Sequence, residues 1–250
     1  MKITILGCGG SFGSPLAWSR HGNIDLNNKR NFRTRSSVLI EHNNTNILID
    51  TSPDLRQQLY NAKCTNIDAV LYTHHHSDHT SGLPDMRAMS LINKKIIPAY
   101  MPKEMISEME STYKYIFKGE KDYLPFMEIN KLDTSIKFHN INIETFKHNH
   151  GSIDVQTYKI GNFAYSTDLK KFYDQDIDKL KNLDLWIVGL LREDPHPAHA
   201  GFDQIMDFIS QIKPKKTIFT HMTALLDEKQ LIAKCPSYVQ PGYDGMIIDL

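Results

Sequence analysis

The chain has 250 residues, 40% hydrophobic and 23% charged, which suffices for a core without disulfide staples and argues against a wholly disordered chain. Its 29 Lys plus Arg match its 29 Asp plus Glu, so a basic wrapper of nucleic acid is an unfavoured design, although a local basic patch is not excluded. The longest apolar runs, such as Leu185–Leu191, are too short to span a bilayer. The opening MKITILGCGG carries a strand-like run where a secretory signal would have its apolar core. Cys8, Cys64 and Cys235 are isolated and at no metal-like spacing, so the expectation is a reduced, cytoplasmic protein folded as one domain over residues 1–250.

Lys2–Leu6 alternates and is β-branched, which predicts a strand ending in the flexible turn Gly7 to Ser11. The polar, aperiodic stretch to about Arg35 predicts an irregular loop. Ser37–Glu41 and Asn46–Asp50 predict a hairpin across His42–Thr45. Pro53 opens a helix to about Asn61, with Thr51 or Ser52 as its cap. Asp68–Tyr72 is a buried strand that runs into a histidine cluster. A helix over Pro84–Leu91, a strand over Lys95–Tyr100 and a helix over Pro102–Thr112 follow. Tyr113–Phe126 is aromatic and weakly patterned, and reads as a lid or a homodimer contact. Strands come next at Ser135–Phe138, Ile141–Phe146, Val155–Ile160 and Phe163–Ser166. The last third alternates strand Leu185–Val188, helix Phe202–Ile212, strand Thr217–Thr220, helix Leu225–Ala233 and strand Gly245–Asp249. No repeat or long linker interrupts the pattern, which predicts two packed sheets with helices outside.

Twelve histidines are clustered rather than spread. Thr73-His74-His75-His76-Ser77-Asp78-His79 puts four metal-capable side chains at the offsets H-x-H-x-D-H after a strand, a set suited to zinc. His74 and His76 can serve one point, and Asp78 and His79 a second, as two metals ~3.5–4 Å apart require. His150, Asp168 and His221 lie where later strands release the chain, the usual place for further ligands. His148 competes with His150, which is preferred because Gly151 permits close backbone approach.

These strings resemble the metallo-β-lactamase superfamily: THHHSDH, LIDTSPDL, YSTDL and FTHM. ILGCGGSFGSP, NFRTRSSVLIE, GNFAYSTD, REDPHPAH and GYDGMIID are most similar to the PhnP group of phosphodiesterases within it, and the resemblance runs from Lys2 to Asp249. It implies an α/β fold, the αββα four-layer sandwich, with metals at one edge. It implies that His74, His76 and His150 hold one metal, that Asp78, His79 and His221 hold another, that Asp168 bridges them and that Asp50 orients ligands. The PhnP form carries a cysteine-held structural zinc in its N-terminal loop. Ser14–Arg35 here has no cysteine, so other contacts must hold that loop.

The expected cofactors are two divalent ions per chain, zinc first and manganese as the alternative. The expected activity is hydrolysis of a small or cyclic phosphodiester by a hydroxide between the metals, with Asp78 also orienting that hydroxide. The segment Arg192–His199 supplies candidates that act on the substrate: His199 foremost, favoured by the family resemblance, as proton donor or phosphate ligand, His196 as alternate, and Arg192 behind both. His75 falls at the wrong offset and should point away. The basic loop Asn31–Ser37 reads equally as an anion attractor or a solvated loop, and Gly7–Gly13 matches no nucleotide-binding loop. The rivals are an RNA-processing nuclease resembling tRNase Z, for which the chain lacks a basic arm, and a thioester, lactone or lactam hydrolase. The expected partner is a small anionic phosphodiester, with no membrane and a homodimer left open.

Overall fold

In the computed structural model, which describes residues 1–18, 22–173 and 176–250, two mixed sheets pack face to face between helical layers. The first sheet runs in chain order through β1 (Lys2–Gly7), β2 (Ser37–His42), β3 (Thr45–Ile49), β4 (Ala69–Leu71), β5 (Ile97–Met101) and β6 (Met127–Lys131). The second sheet takes β7 (Ser135–Phe138), β8 (Ile141–His150), β9 (Ile153–Ile160), β10 (Phe163–Ser166), β11 (Lys171–Phe172), β12 (Leu185–Gly189), β13 (Lys216–Thr220) and β14 (Val239–Pro241). Its order is β11-β8-β9-β10-β12-β13-β14, with β7 paired to β8. The chain then returns to the first sheet, where β15 (Met246–Asp249) pairs antiparallel with β1.

The helices are α1 (Leu55–Asn61), α2 (Ser77–Thr80), α3 (Met86–Asn93), α4 (Lys103–Thr112), α5 (Lys114–Phe117), α6 (Phe202–Ile212) and α7 (Glu228–Lys234). The period of two in the strands explains the layers. Val38, Ile40, Ile47 and Ile49 join the core that includes the second sheet, whereas Leu39 and Leu48 join the core beneath α1, α3 and α4. Ile205, Ile209 and Ile212 recur at helical spacing and bury one face of α6 in the larger core. Trp186, Tyr158, Tyr165 and Phe163 are fully buried there, each worth roughly 1.5–3 kcal/mol relative to exposure.

The predicted hairpin forms, and Asn43 and Asn44 at its tip have φ of 50° and 57°, the conformation of a type I′ turn. Several boundaries move. α1 starts at Leu55 rather than Pro53, because Ser52 Oγ accepts from Asp54 N (3.1 Å) and donates to Gln58 Oε1 (2.8 Å), shaping the turn before the helix. α7 starts at Glu228, where Asp227 Oδ1 caps Lys229 N and Gln230 N. β8 runs on to His150, so His148 and His150 lie within the strand and not after it. β6, β11 and β14 were not expected; β14 and β11 are the edges of their sheet, where Pro241 in β14 is tolerated. Tyr113–Phe126 commits Ile116 and Phe126 to the core beside β6 and is therefore not a free lid.

The N-terminal loop is irregular as expected, apart from one short turn at Lys29–Asn31; residues 19–21 of it lie outside the described residues. Asn31 holds it. Fully buried, it donates from Nδ2 to Asp227 Oδ2 (2.7 Å) and to Asp25 O (3.0 Å). Its Oδ1 accepts from Glu228 N (2.8 Å) and Arg33 Nη2 (3.1 Å), and its carbonyl accepts from Ser14 Oγ (2.7 Å). Arg33 is buried in the same network, and Arg35 pairs with Asp54 (3.1 Å), so this basic stretch fastens the loop instead of forming an open anion attractor. Asn31→Ala leaves several buried groups unpaired; it should lower unfolding stability by ~1–3 kcal/mol, measured by chemical denaturation of both proteins at equal metal content.

Candidate metal centre

The parallel strands end on one edge, and each releases a polar side chain there. Asp50 follows β3, the His74–His79 segment follows β4, His150 ends β8, Asp168 follows β10 by two residues, and His221 follows β13. Asp50, Asp168 and His221 have φ of 60°, 53° and 56°. Such left-handed conformations are uncommon outside glycine and cluster at functional sites. They turn the chain sharply, so that each side chain folds back over its sheet edge.

The predicted residues converge. His74, His76 and His150 form one group of donor atoms within 4.8 Å of one another; Asp78, His79 and His221 form a second; His74, His79 and Asp168 form a third. Asp168 lies between the first two. Its Oδ2 is 3.3 Å from His79 Nε2, and its Oδ1 is 3.4 Å from His221 Nε2 and 3.7 Å from His150 Nε2. Asp78 Oδ2 is 3.4 Å from His79 Nε2 and 3.3 Å from His221 Nε2. His75 is half-buried and belongs to none of these groups.

Second partners fix the rings. Asp50 is fully buried; its Oδ2 is 2.7 Å from His79 Nδ1, and it accepts from Thr73 N and Thr73 Oγ1, both at 2.8 Å. Thr73 Oγ1 in turn meets His74 Nδ1 at 3.0 Å. His150 Nδ1 donates to Ala198 O (2.9 Å), and Thr167 Oγ1 donates to Asp168 Oδ2 (2.6 Å). These bonds leave the Nε2 atoms of His74, His79 and His150 aimed inward. His148 does not compete with His150: it is buried with Nδ1 on Thr157 Oγ1 (2.9 Å) and Nε2 on Thr167 O (2.8 Å). It supports the segment that carries Asp168. Thr73, Thr167 and His148 in this supporting role were missed from sequence; the available signal was a threonine directly before His74 and before Asp168.

The electrostatics ask for a cation. Asp50, Asp78 and Asp168 are buried, and among the described residues no Lys or Arg pairs with any of them. Burial alone would raise the Asp168 carboxyl, but the facing His221 and His79 hold it well below its usual range. Burial alone would lower His79, but Asp78, Asp50 and Asp168 hold it well above. The buried Nε2 atoms of His74 and His79 have no hydrogen-bond partner. Unpartnered imidazole nitrogens beside uncompensated carboxylates fit a divalent cation, which needs such donors and supplies the missing charge.

His199 is almost fully buried on the far side of Asp168, its Nε2 at 3.9 Å from Oδ1. Its ring stacks on His221 (5.5 Å between centroids, 18°) and meets His150 edge-on (4.6 Å). Burial pushes its pKa down to about 3 against the pull of Asp168. It does not cap α6, whose first free N–H, on Gly201, is taken by Gln204 Oε1 (3.0 Å). His196 is more exposed, with its ring 5.4 Å from that of His199. Arg192 spends its guanidinium on Asp194 O and Pro195 O within its own turn. Lys170, unremarked in the sequence, donates from Nζ to His196 O (2.6 Å) and fastens this loop.

The family follows from this fold and from the sequence together: residues 45–222 match the beta-lactamase superfamily domain. The chain belongs to the metallo-β-lactamase superfamily. It is similar to a solved diphosphatase from the PhnP family, with 28% identity, a TM-score of 0.93 and coverage of 100% of this chain and 97% of that one. Human tRNase Z, short form, shares the fold at a TM-score of 0.74 and 19% identity, over 100% of this chain and 99% of that one. An octanoyltransferase of Porphyromonas gingivalis is 31% identical over 258 residues, covering 100% of this chain and 52% of the relative. The chain therefore spans about half the length of that curated relative.

Gly189, at the end of β12, lets Asp168 sit where it does. A Cβ there would lie 2.8 Å from Asp168 N and 3.4 Å from Thr167 Cα. Gly189→Ala must displace this backbone, and is expected to cost ~1–3 kcal/mol of stability, read as a lowered denaturation midpoint.

Proposed function

We propose that the chain is a dinuclear-metal hydrolase that cleaves a small or cyclic phosphodiester. The observation that carries this reading is the buried set of three carboxylates with the unpartnered Nε2 atoms of His74 and His79. In this reading His74, His76 and His150 hold one ion, Asp78, His79 and His221 hold the other, and Asp168 reaches both. Zinc is the first choice for these donors and manganese the second. Two such ions supply Lewis acidity, drawing charge from the scissile group and acidifying a water to a nucleophile near neutral pH. The likeness to a PhnP-family diphosphatase supports phosphorus as the centre attacked.

The chain's own residues do the rest. Asp50 and Thr73 hold His79 and His74 in one orientation, so little reorganisation accompanies the reaction. Asp78 lies where its carboxylate can orient an attacking water through its second oxygen. His199, with its pKa pushed down to about 3, is a neutral imidazole at neutral pH. It therefore serves as a hydrogen-bond donor to a phosphate oxygen, in preference to a proton donor for the leaving group, and His196 is the outer alternate. A second reading, thioester hydrolysis, has its support in the likeness to an octanoyltransferase. A long RNA finds no counterweight in a chain of zero net charge.

Metal analysis of the loaded protein should give two zinc or manganese ions per chain, and a panel of bis-(p-nitrophenyl) phosphate, structured RNA and acyl thioester should show turnover of the diester. One ion per chain, or turnover of the thioester alone, would sink the proposal. Asp168→Ala should lose metal and activity together. His199→Ala should keep its metals and lose ~10²–10³-fold in kcat, the range for a charge-stabilising donor; metal loss in that variant would make His199 a ligand. Asp50→Asn should weaken zinc affinity ~10–100-fold in chelator competition, because the ring orientation of His79 depends on it.

A further inference from the structure

A cavity of about 330 Å³ opens beside the centre, with His74 and His75 as one wall. α4 contributes Glu104 and Glu108, β8 contributes Lys147, and β9 contributes Asp154. Met105 and Ile153 give it an apolar floor. Its charge is unusual for a phosphohydrolase: three carboxylates stand against one ammonium, and that ammonium is already committed. Lys147 Nζ lies 2.6 Å from Glu104 Oε1 and 4.0 Å from Asp154 Oδ2. Glu108 is exposed and, among the described residues, makes no ion pair.

His74 links the two sites. Its buried Nε2 faces the centre, and His74 is also one of the residues that line the cavity. A phosphodiester whose phosphorus lies at the centre has one ester arm free to pass His75 into this space. A second phosphate on that arm would meet Glu108, which makes no ion pair among the described residues, and Asp154, which shares Lys147 with Glu104 and accepts from Tyr173 Oη. An alkylammonium would instead meet opposite charge, with its methylene or methyl groups against Met105 and Ile153.

Resting on the phosphodiesterase reading, we propose that this cavity selects the ester arm of the substrate and that the arm it takes is a cationic alkylammonium, as in an amino-alcohol phosphodiester. Glu104, Glu108 and Asp154 are exposed to solvent, so the preference is set by a few screened charge pairs and should be moderate, about tenfold in kcat/KM between cationic and anionic arms. It should contract as salt rises.

The test uses the zinc-loaded enzyme and three p-nitrophenyl phosphodiesters that share a leaving group and differ in the second arm: 2-(trimethylammonio)ethyl, ethyl and 2-carboxyethyl. The expected order of kcat/KM is cationic, neutral, anionic, with the spread reduced several-fold in Glu108→Gln and in Asp154→Asn. Choline alone, titrated calorimetrically into loaded and metal-free protein, should bind both and bind Glu108→Gln more weakly. Equal kcat/KM for the three arms, or a preference unchanged in both variants, overturns the proposal. Absence of turnover with every arm, together with choline binding that Glu108→Gln weakens, supports the cation-selective cavity and refutes the phosphodiesterase reading instead.

Discussion

Three buried carboxylates that no described lysine or arginine pairs with set the terms for this molecule. Asp50, Asp78 and Asp168 are buried at one sheet edge, where isolated negative charge is costly. The chain answers with imidazoles, drawing His79 and His221 above their ordinary range. Five histidines from three strand ends, after β4, at the end of β8 and after β13, are thereby tied to the same point. Because both sheets contribute, the centre exists only when the two halves of the sandwich are docked. Tyr158 Oη of β9 donates to Tyr72 O (2.5 Å) and Gln156 N to Thr73 O (3.1 Å), so the second sheet grips the first at the residues just before His74.

Rigid supports flank the His/Asp cluster. The loop bearing His196 and His199 is held by Lys170 from below and by the His150–Ala198 bond from the side. Gly151 has φ of 70° and little space, with Ala198 Cβ 3.0 Å from where its own Cβ would be. The closeness that first favoured His150 over His148 is therefore real, though it is approach to the loop at Ala198 and not to a ligand. Opposite this loop, the N-terminal segment is anchored on Met222 through Gly10 N (3.0 Å) and on Asp227 through Asn31. A hydrogen-bonded hub centred on Asn31 ties down this cysteine-free loop.

Most of the architecture was legible because its signals are local. Alternating β-branched runs marked β1 to β4 and β12, β13 and β15, and the spacing of isoleucines marked α6. What escaped has physical reasons. β6, β11 and β14 are short or lie at sheet edges, where few side chains need be apolar, and Pro241 argues locally against a strand. The histidines at 148 and 150 broke the hydrophobic pattern of β8, yet both are buried, His148 against Thr157 of the neighbouring strand and His150 against Ala198 O of the loop after β12. The His and Asp side chains that converge were visible as a constellation; the residues that hold them in place were not. Thr73, Thr167, Lys170 and Asn31 act through partners 19 or more positions away or through neighbouring side chains, and no spacing rule announces that.

The closing strand has a consequence for how the molecule can be tethered. β15 runs antiparallel to β1, and Met1 and Leu250 exchange backbone hydrogen bonds, so both chain ends emerge together. β1 starts there and finishes at Gly7, beside the loop that abuts His221. The two ends therefore leave the sandwich from the rim opposite the centre. Anything attached through either end, whether a surface, a label or a further stretch of polypeptide, has the sandwich between it and the His/Asp cluster. Traffic between such an attachment and that cluster must go around the molecule through solvent.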